Sequence, residues 1–254
     1  MSAERYARHL ALAGFGADEQ ARLRAATALV IGAGGLGSPV LLYLAAAGIG
    51  RLVVSDFDTV DVTNLQRQVL FTGADLGRPK AEAAAERLAA LNPDTMVVPV
   101  NERLMDDALQ DAVAAADLVL DCCDNFGTRF ALNRACVAAR KPLVSGAAIR
   151  FEGQLAVFRL DQPGEPCYRC LWQEEAEGLE NCRGNGVLGP VPGVIGSLMA
   201  VEALKIASGC APAASGRLFL YDAIENDWRN LKLERDPACP VCGTGGLNTA
   251  ASAE

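Results

Sequence analysis

Histidine is almost missing from this chain. One occurs among 254 residues, His9, close to the N-terminus. Any reaction that needs a histidine as general base has that single candidate, and it lies outside the glycine-rich stretch that follows. Positive charge is also short. Lys and Arg number 23 against 31 Asp and Glu, a formal net charge of −8. Phosphate backbones repel such a chain, which excludes a general nucleic-acid binder but allows a nucleotide pocket with local positive charge. The N-terminal "MSAERYARHL" lacks the apolar segment of a secretory signal. The one long apolar run, "GVLGPVPGVIGSLMAVEALKIA", is interrupted by Pro190, Pro192, Glu202 and Lys205, so it reads as a buried helix from about Gly193 and not as a membrane span. No internal repeat is evident. The expectation is a cytoplasmic protein with no membrane or nucleic-acid partner.

What is present is a globular composition, 51% hydrophobic and 21% charged, long enough for one large α/β domain. Strand and helix patterns alternate through the first 150 residues. Strands are expected at 27–31, 52–55, 96–100, 118–121 and 143–145, and helices at 36–47, 79–91, 104–116 and 126–140. This rhythm predicts a Rossmann-like, doubly wound, mostly parallel sheet with right-handed crossovers. Residues 150–160 then alternate as an antiparallel strand does. A polar loop at 173–186, the apolar helix and a closing hairpin in "RLFLYDA" and "WRNLKLE" follow. Antiparallel strands should therefore extend the parallel sheet. The expected organisation is a single domain over 1–254: an N-terminal helical segment (1–26), a nucleotide-binding core (27–160), a clasp, loop and hairpin region (161–243) and a disordered tail (244–254).

"VIGAGGLGSP" holds glycines at 32, 34, 35 and 37, the G-x-G-x-x-G spacing, between a strand and a helix. Gly32 permits the tight turn, Gly34 lets phosphate approach the backbone, and Gly37 lets helix and strand pack closely. Asp56 stands 19 residues beyond Gly37, where a ribose-hydroxyl acceptor belongs. The motif suits several nucleotides. "DFDTVDVTNLQRQ" begins to separate them, because Asp56, Asp58 and Asp61 sit close to Asn64, Arg67 and Gln68. A nucleoside triphosphate has a use for Arg67 that a dinucleotide lacks, since guanidinium pairs bidentately with outer phosphates. In "GRPKAEAAAERL", Pro79 suits a first helical turn, and Arg78 and Lys80 fall where the helix dipole disfavours cations. An anionic ligand would reverse that penalty, which makes Lys80 a phosphate candidate. "LVLDCCDN" puts Asp121, Asp124 and Asn125 at the ligand-binding edge of the sheet, where an aspartate can hold Mg²⁺ and either Asp124 or Asn125 can cap the next helix.

Nine cysteines in a cytosolic chain point to metal or reactive thiols more than to disulfides. Cys167-x-x-Cys170 and Cys239-x-x-Cys242 can complete a tetrahedral zinc site with no open position, hence a structural one, with a dithiol redox pair as the runner-up. The 68 residues between the pairs imply a clasp that ties the chain's end to its middle. Cys122, Cys123, Cys136 and Cys210 lie in apolar or helical settings and read as structural thiols. Cys182, in "EEAEGLENCRGNGV", is either an incidental surface cysteine or a transfer thiol whose pKa Arg183 lowers modestly.

From "RYARHL" to "CPVCG" the chain resembles the ThiF/MoeB/HesA enzymes, relatives of ubiquitin-activating enzymes that activate sulfur-carrier proteins. The marks are "GAGGLGSP", "DFDTVDVTNLQRQ", "GRPKAE", "LDCCDN", "SGAAIRFEGQ", "CYRC", "GVIGSLMAVEALK" and the last C-x-x-C. The resemblance implies ATP- and Mg²⁺-dependent adenylylation of the C-terminal Gly-Gly carboxylate of a ubiquitin-like sulfur-carrier protein. It implies ribose binding by Asp56, phosphate binding by Asn64, Arg67 and Lys80, and Mg²⁺ at Asp124. Arg8 would reach ATP from the other subunit of a homodimer. Zinc would sit on Cys167, Cys170, Cys239 and Cys242, and Cys182 matches a loop cysteine that takes part in acyl or sulfur transfer in some members. His9 replaces a usual glutamine, and Gly184-Asn185 replaces a more familiar pair. With no rhodanese-like domain appended, the sulfur donor is expected to be a separate cysteine desulfurase or rhodanese. Within the family, "SGAAIRFEGQ", "GEPCYRC" and "ASGRLFLYDA" are more similar to the molybdopterin-synthase (MoaD-type carrier) branch, which is favoured, and "CLW…NCR…GVLGPV" to the thiazole (ThiS-type carrier) branch. A carrier of another thiolation pathway is a further alternative and an NAD-dependent oxidoreductase the remoter one. A carboxylate is already ionised at neutral pH, so its attack on an α-phosphate needs no general base. The scarcity of histidine fits that chemistry.

Overall fold

The computed structural model describes residues 4–172 and 185–243. Eight strands form one sheet in the order β3-β2-β1-β4-β5-β6-β7-β8. They are β1 (Thr27–Ile31), β2 (Arg51–Ser55), β3 (Met96–Val100), β4 (Leu118–Asp121), β5 (Leu143–Ile149), β6 (Glu152–Phe158), β7 (Arg217–Asp222) and β8 (Asp227–Lys232). The first five pair in parallel and the last three are added antiparallel, as the alternation of patterns predicts. The order reverses between β1 and β4, and that switch point opens a crevice at the carboxyl ends of the strands.

The helices are α1 (Ala7–Leu10), α2 (Ala17–Ala25), α3 (Gly37–Ala47), α4 (Lys80–Leu91), α5 (Asp106–Ala114), α6 (Phe126–Ala139), α7 (Tyr168–Leu171) and α8 (Pro190–Ser208). The sheet's pleat sorts them. Ala28, Val30, Leu52, Val54, Leu118, Leu120 and Val144 face the core shared with α3, α4 and α8. Leu29, Ile31, Val119 and Leu143 face the opposite core, shared with α5 and α6. Because β1 and β4 are covered on both sides, they read as continuous apolar runs and not as alternating ones.

Several boundaries differ from the sequence expectation by one or two residues, and three differences have a clear physical cause. Pro79 is the N-cap of α4, with extended ψ, and not part of its first turn. Its strand-like conformation is set by a bridge to Thr59. The apolar helix α8 begins at Pro190 and not near Gly193. Both prolines fall within its first turn, where backbone N–H groups have no intrahelical acceptor, so neither costs a hydrogen bond. Strand β5 runs four residues further than expected, because β6 returns alongside it and pairs with Ile149 through Glu152. Although α8 is long and apolar enough to cross a membrane, half of it is buried inside the protein. Its charged residues are also accommodated: Glu202 pairs with Lys205 at 2.7 Å and accepts from the Ala214 amide.

Candidate functional site

The glycine turn between β1 and α3 lies at the switch point. Gly32 adopts φ +95°, a left-handed conformation, and a Cβ there would strike the Cys122 carbonyl. A Cβ on Gly37 would collide with the Gly32 carbonyl. Those two glycines are required by the fold. Gly34 is different, since an added Cβ would meet only Gln68 Nε2, at an ordinary 3.5 Å. Its lack of a side chain leaves backbone open to the crevice. Gly35 abuts Pro192 of α8, which closes one side of the turn.

Above this turn is a cavity of about 940 Å³. Gly32, Gly34, Gly35, Asp56, Asp58, Asn64, Arg67, Gln68, Lys80, Asp124 and Asn125 all line it, so residues scattered across the sequence converge on one space. Asp56 holds the turn in place. Its carboxylate accepts from the Ala33 amide at 2.8 Å and from the Asp58 amide at 2.9 Å. Burial raises its pKa above the usual carboxylate range, and the nearby Lys80 charge opposes that shift. Lys80 occupies the first position of α4, is almost fully buried, and pairs with Asp58 at 3.1 Å. The carboxylate of Asp58 therefore compensates the cation at the helix N-terminus. Arg78 meets Asp75 and Glu86 on the surface and takes no part in the cavity wall.

Arg67 is anchored by one hydrogen bond from Nη1 to the Thr63 carbonyl, which leaves most of its guanidinium donors for a ligand. Gln68 is buried with its Oε1 unpartnered at the cavity wall. An orphaned acceptor of this kind suits a ligand donor.

The end of β4 separates two aspartates that look equivalent in the sequence. Asp121 is 1% exposed and committed to the protein. It pairs with Arg129 at 3.4 Å and accepts from the Ser145 hydroxyl at 2.7 Å and the Cys123 thiol at 2.8 Å. Asp121 is thus not a ligand-binding residue, despite its place at the sheet edge. Asp124 is exposed, faces the cavity, and makes no hydrogen bond or ion pair among the described residues. Asn125 is the N-cap of α6, accepting from the Thr128 amide at 2.9 Å. The choice left open between these two neighbours is resolved: the amide caps, the carboxylate is free.

Arg8 is exposed on α1 and is not part of the cavity of its own chain. Cys182 lies outside the described residues, as does the tail from 244 onward.

The second site is the clasp. The sulfurs of Cys167, Cys170, Cys239 and Cys242 all lie within 4.8 Å of one another. The closest approaches are 4.0 Å (Cys167–Cys170), 3.7 Å (Cys167–Cys239) and 3.4 Å (Cys170–Cys242). A zinc ion with four Zn–S bonds of about 2.3 Å places its sulfurs about 3.8 Å apart, so the cluster fits a tetrahedral zinc site. A hydrogen bond from the Cys167 thiol lowers the Cys170 pKa to about 4, whereas burial pushes Cys242 up to about 11. A divalent cation is what would let all four ionise. Elsewhere, burial raises the thiol pKa of Cys122, Cys123 and Cys136, which suits structural roles.

The ThiF family model matches residues 6–241. The chain belongs to the ThiF family. It is 50% identical over 240 residues to the "Sulfur carrier protein ThiS adenylyltransferase" of Escherichia coli, covering 94% of each chain. It is 49% identical over 239 residues to the "Molybdopterin-synthase adenylyltransferase" of Escherichia coli, covering 94% of this chain and 96% of that one. One percentage point does not choose between two ThiF-family branches. A crystal structure of E. coli MccB with succinimide matches with a TM-score of 0.83 at 24% identity, over 96% of this chain and 74% of that one, a likeness of fold.

Sequence reasoning missed a group of residues that line the same cavity: Phe57, Arg103, Phe126, Arg129, Tyr168 and Trp172. Phe57 carries Arg103 over its ring at 4.8 Å. Arg129 could have been suspected from its place one turn into a helix that opens at the ligand edge. Nothing in the local pattern singles out Tyr168, which is brought in by the cysteines around it.

Proposed function

We propose that this ThiF-family enzyme adenylylates the C-terminal carboxylate of a ubiquitin-like sulfur-carrier protein ending in Gly-Gly. The observation that carries the reading is the convergence of Asp56, Arg67, Lys80 and Asp124 on one cavity above a glycine turn. In this reading Asp56 accepts from a ribose hydroxyl of ATP, while the Gly34 and Gly35 backbone lies against the phosphates. Asn64, Arg67, Lys80 and the Gln68 Nε2 donor beside Gly34 bind and orient the triphosphate, while Gln68 Oε1 is left for a donor such as a nucleotide hydroxyl. A carboxylate oxygen of the carrier attacks the α-phosphorus, the bond to the bridging oxygen of pyrophosphate breaks, and an acyl adenylate remains. The attacking group is already an anion, so the cavity needs to position it and neutralise charge, not remove a proton. Asp124 is the free carboxylate suited to Mg²⁺, which when bound would screen the phosphate oxygens from the incoming carboxylate.

The reading also includes a homodimer, in which Arg8 of one chain serves the other's cavity, a cytoplasmic setting, and a separate sulfur donor that turns the adenylate into a thiocarboxylate. A MoaD-type carrier is favoured over a ThiS-type one on the sequence features quoted above. Adenylation asks nothing of Cys182. A hydride-transferring oxidoreductase would leave Arg67 and Lys80 without a purpose. The deciding experiment is carrier-dependent exchange of labelled pyrophosphate into ATP, run with MoaD-type and ThiS-type carriers. Exchange with one carrier class is expected. Exchange with neither would remove the reading, and activity with ThiS alone would reverse the preference between carriers.

A further inference from the structure

The cavity has two ends. Asp56 closes β2, whereas Tyr168 packs against Phe158 of β6, four strand spacings away across the sheet, or about 19 Å. A nucleotide anchored at Asp56, with its phosphates over the glycine turn and Asp124, occupies the end formed by β2, β1 and β4. The end over β5 and β6 remains for the carrier tail, a placement that rests on the function proposed above. Its outer wall is α7 with the residue after it: Tyr168, Leu171 and Trp172 all line the cavity.

That wall is also part of the metal corner. Cys167 is the N-cap of α7, and Cys170 lies within it. A four-residue helix is too short to hold its own position. Among the protein groups that hold it is Asn133 of α6, which is fully buried. Asn133 Oδ1 accepts from the Tyr168 amide at 2.9 Å, and its Nδ2 donates to Cys167 Sγ at 3.6 Å. One side chain thus grips both the first residue of the wall and a metal ligand. Arg129 stands one helical turn earlier on the same face of α6 and binds the other rim. Its Nη2 donates to the Cys123 and Gly146 carbonyls at 2.6 and 2.9 Å. Phe126 and Phe130, again one turn apart, complete the connection, packing edge-on against Trp172 and Tyr168 respectively. Helix α6 therefore touches the four-cysteine corner through Asn133 and Val137 and the cavity through Phe126, Thr128 and Arg129.

We infer that Asn133 is a positioning residue, which together with the metal-loaded four-cysteine corner sets α7 as the wall of the carrier-tail half of the cavity. The clasp is thus more than a staple between the chain's middle and its end. It determines where Tyr168 and Trp172 stand, and so how well the tail is held, while leaving the nucleotide half alone.

Trp172 makes this measurable, because the chain has only one other tryptophan, Trp228. Trp228 is stacked on Tyr221 in the closing hairpin and does not line the cavity. The test uses the full-length, metal-loaded protein in a Trp228→Phe background. Asn133→Leu, which keeps the volume and removes both hydrogen bonds, should red-shift Trp172 emission and increase its quenching by iodide. It should raise KM for the carrier about tenfold, with kcat and KM for ATP changed less than about twofold. Stripping the metal from the parent should produce the same change in emission. Leu132→Ala is the control for stability alone, since Leu132 is fully buried on α6 but does not line the cavity. It should lower Tm while sparing both the emission and the carrier KM. Unchanged emission and carrier KM in Asn133→Leu would overturn the inference, as would identical changes in Leu132→Ala. A parent inactive with every carrier would remove the proposed function, and the emission measurements would still decide whether Asn133 positions the wall.

Discussion

The four-cysteine corner and the glycine-turn corner are both made from short motifs, yet they treat their polar groups in opposite ways. In the first, the sulfurs face one another, three of the four residues are buried, and Asn133 spends its amide on the same corner. In the second, the backbone of Gly34 is uncovered, Gln68 keeps an unpaired acceptor, and Asp124 has no partner among the described residues. A site that satisfies its own ligands contributes stability. One that leaves charges and amides unsatisfied keeps them for something that arrives later. The pair Asp121 and Asp124 repeats the contrast within four residues: the first is buried against Arg129, the second is open to the cavity.

Changes in the open corner should remove activity and spare the fold. Asp124→Ala and Arg67→Ala should each lower pyrophosphate exchange by about 1000-fold with Tm nearly unchanged. A variant that keeps most of its exchange would remove that residue from the mechanism. The closed corner should do the reverse. Stripping the metal with a chelator should lower Tm by about 10 °C, and an unchanged melting curve would mean that the thiols hold no stabilising ion. Asp121→Asn should behave like the clasp, because it leaves the Arg129 charge buried without its partner. The expected loss is about 3 kcal/mol in denaturant unfolding; a neutral result would place Asp121 on the ligand side after all.

The glycines sharpen the comparison further. Gly34→Ala should fold with wild-type Tm and bind ATP about tenfold more weakly, because the new methyl would project only toward Gln68 and the incoming phosphates. Calorimetric titration with ATP checks this, and wild-type affinity would show that the turn does not approach a phosphate. The smallest effect belongs to Cys182→Ala, for which exchange should stay within about twofold of wild type, since formation of the adenylate uses no thiol. Loss of exchange would assign that cysteine to the first step.

Much of the fold could be read in advance for a simple reason. Central parallel strands must be apolar on both faces, so β1 and β4 stand out as unbroken runs, and the alternating helices follow. The start of α8 was misplaced because a proline reads as a break until one knows that it falls in a first turn. The extra length of β5 was invisible because it depends on β6 folding back to pair with it. In the cavity, Asp56, Arg67, Lys80 and Asp124 could be named from charge in an unexpected context. Tyr168 could not, since its neighbours on the chain give no hint of where its side chain goes, and for Arg129 the only signal was its place one turn into a helix that opens at the ligand edge.

The sequence by itself determined the chemistry on offer: a phosphate-accepting turn, cations and carboxylates downstream of it, four thiols at metal spacing, and almost no histidine. Local composition is enough for that, because each motif's function is limited by the atoms it carries. Only the tertiary structure decided which of those atoms are spent within the protein and which are left over. Asp121 is consumed by a buried guanidinium, Asp124 is not, and Asn133 joins the clasp to the cavity wall. Burial and partnering are relations between distant parts of the chain, and they come into being only when the sheet brings those parts together.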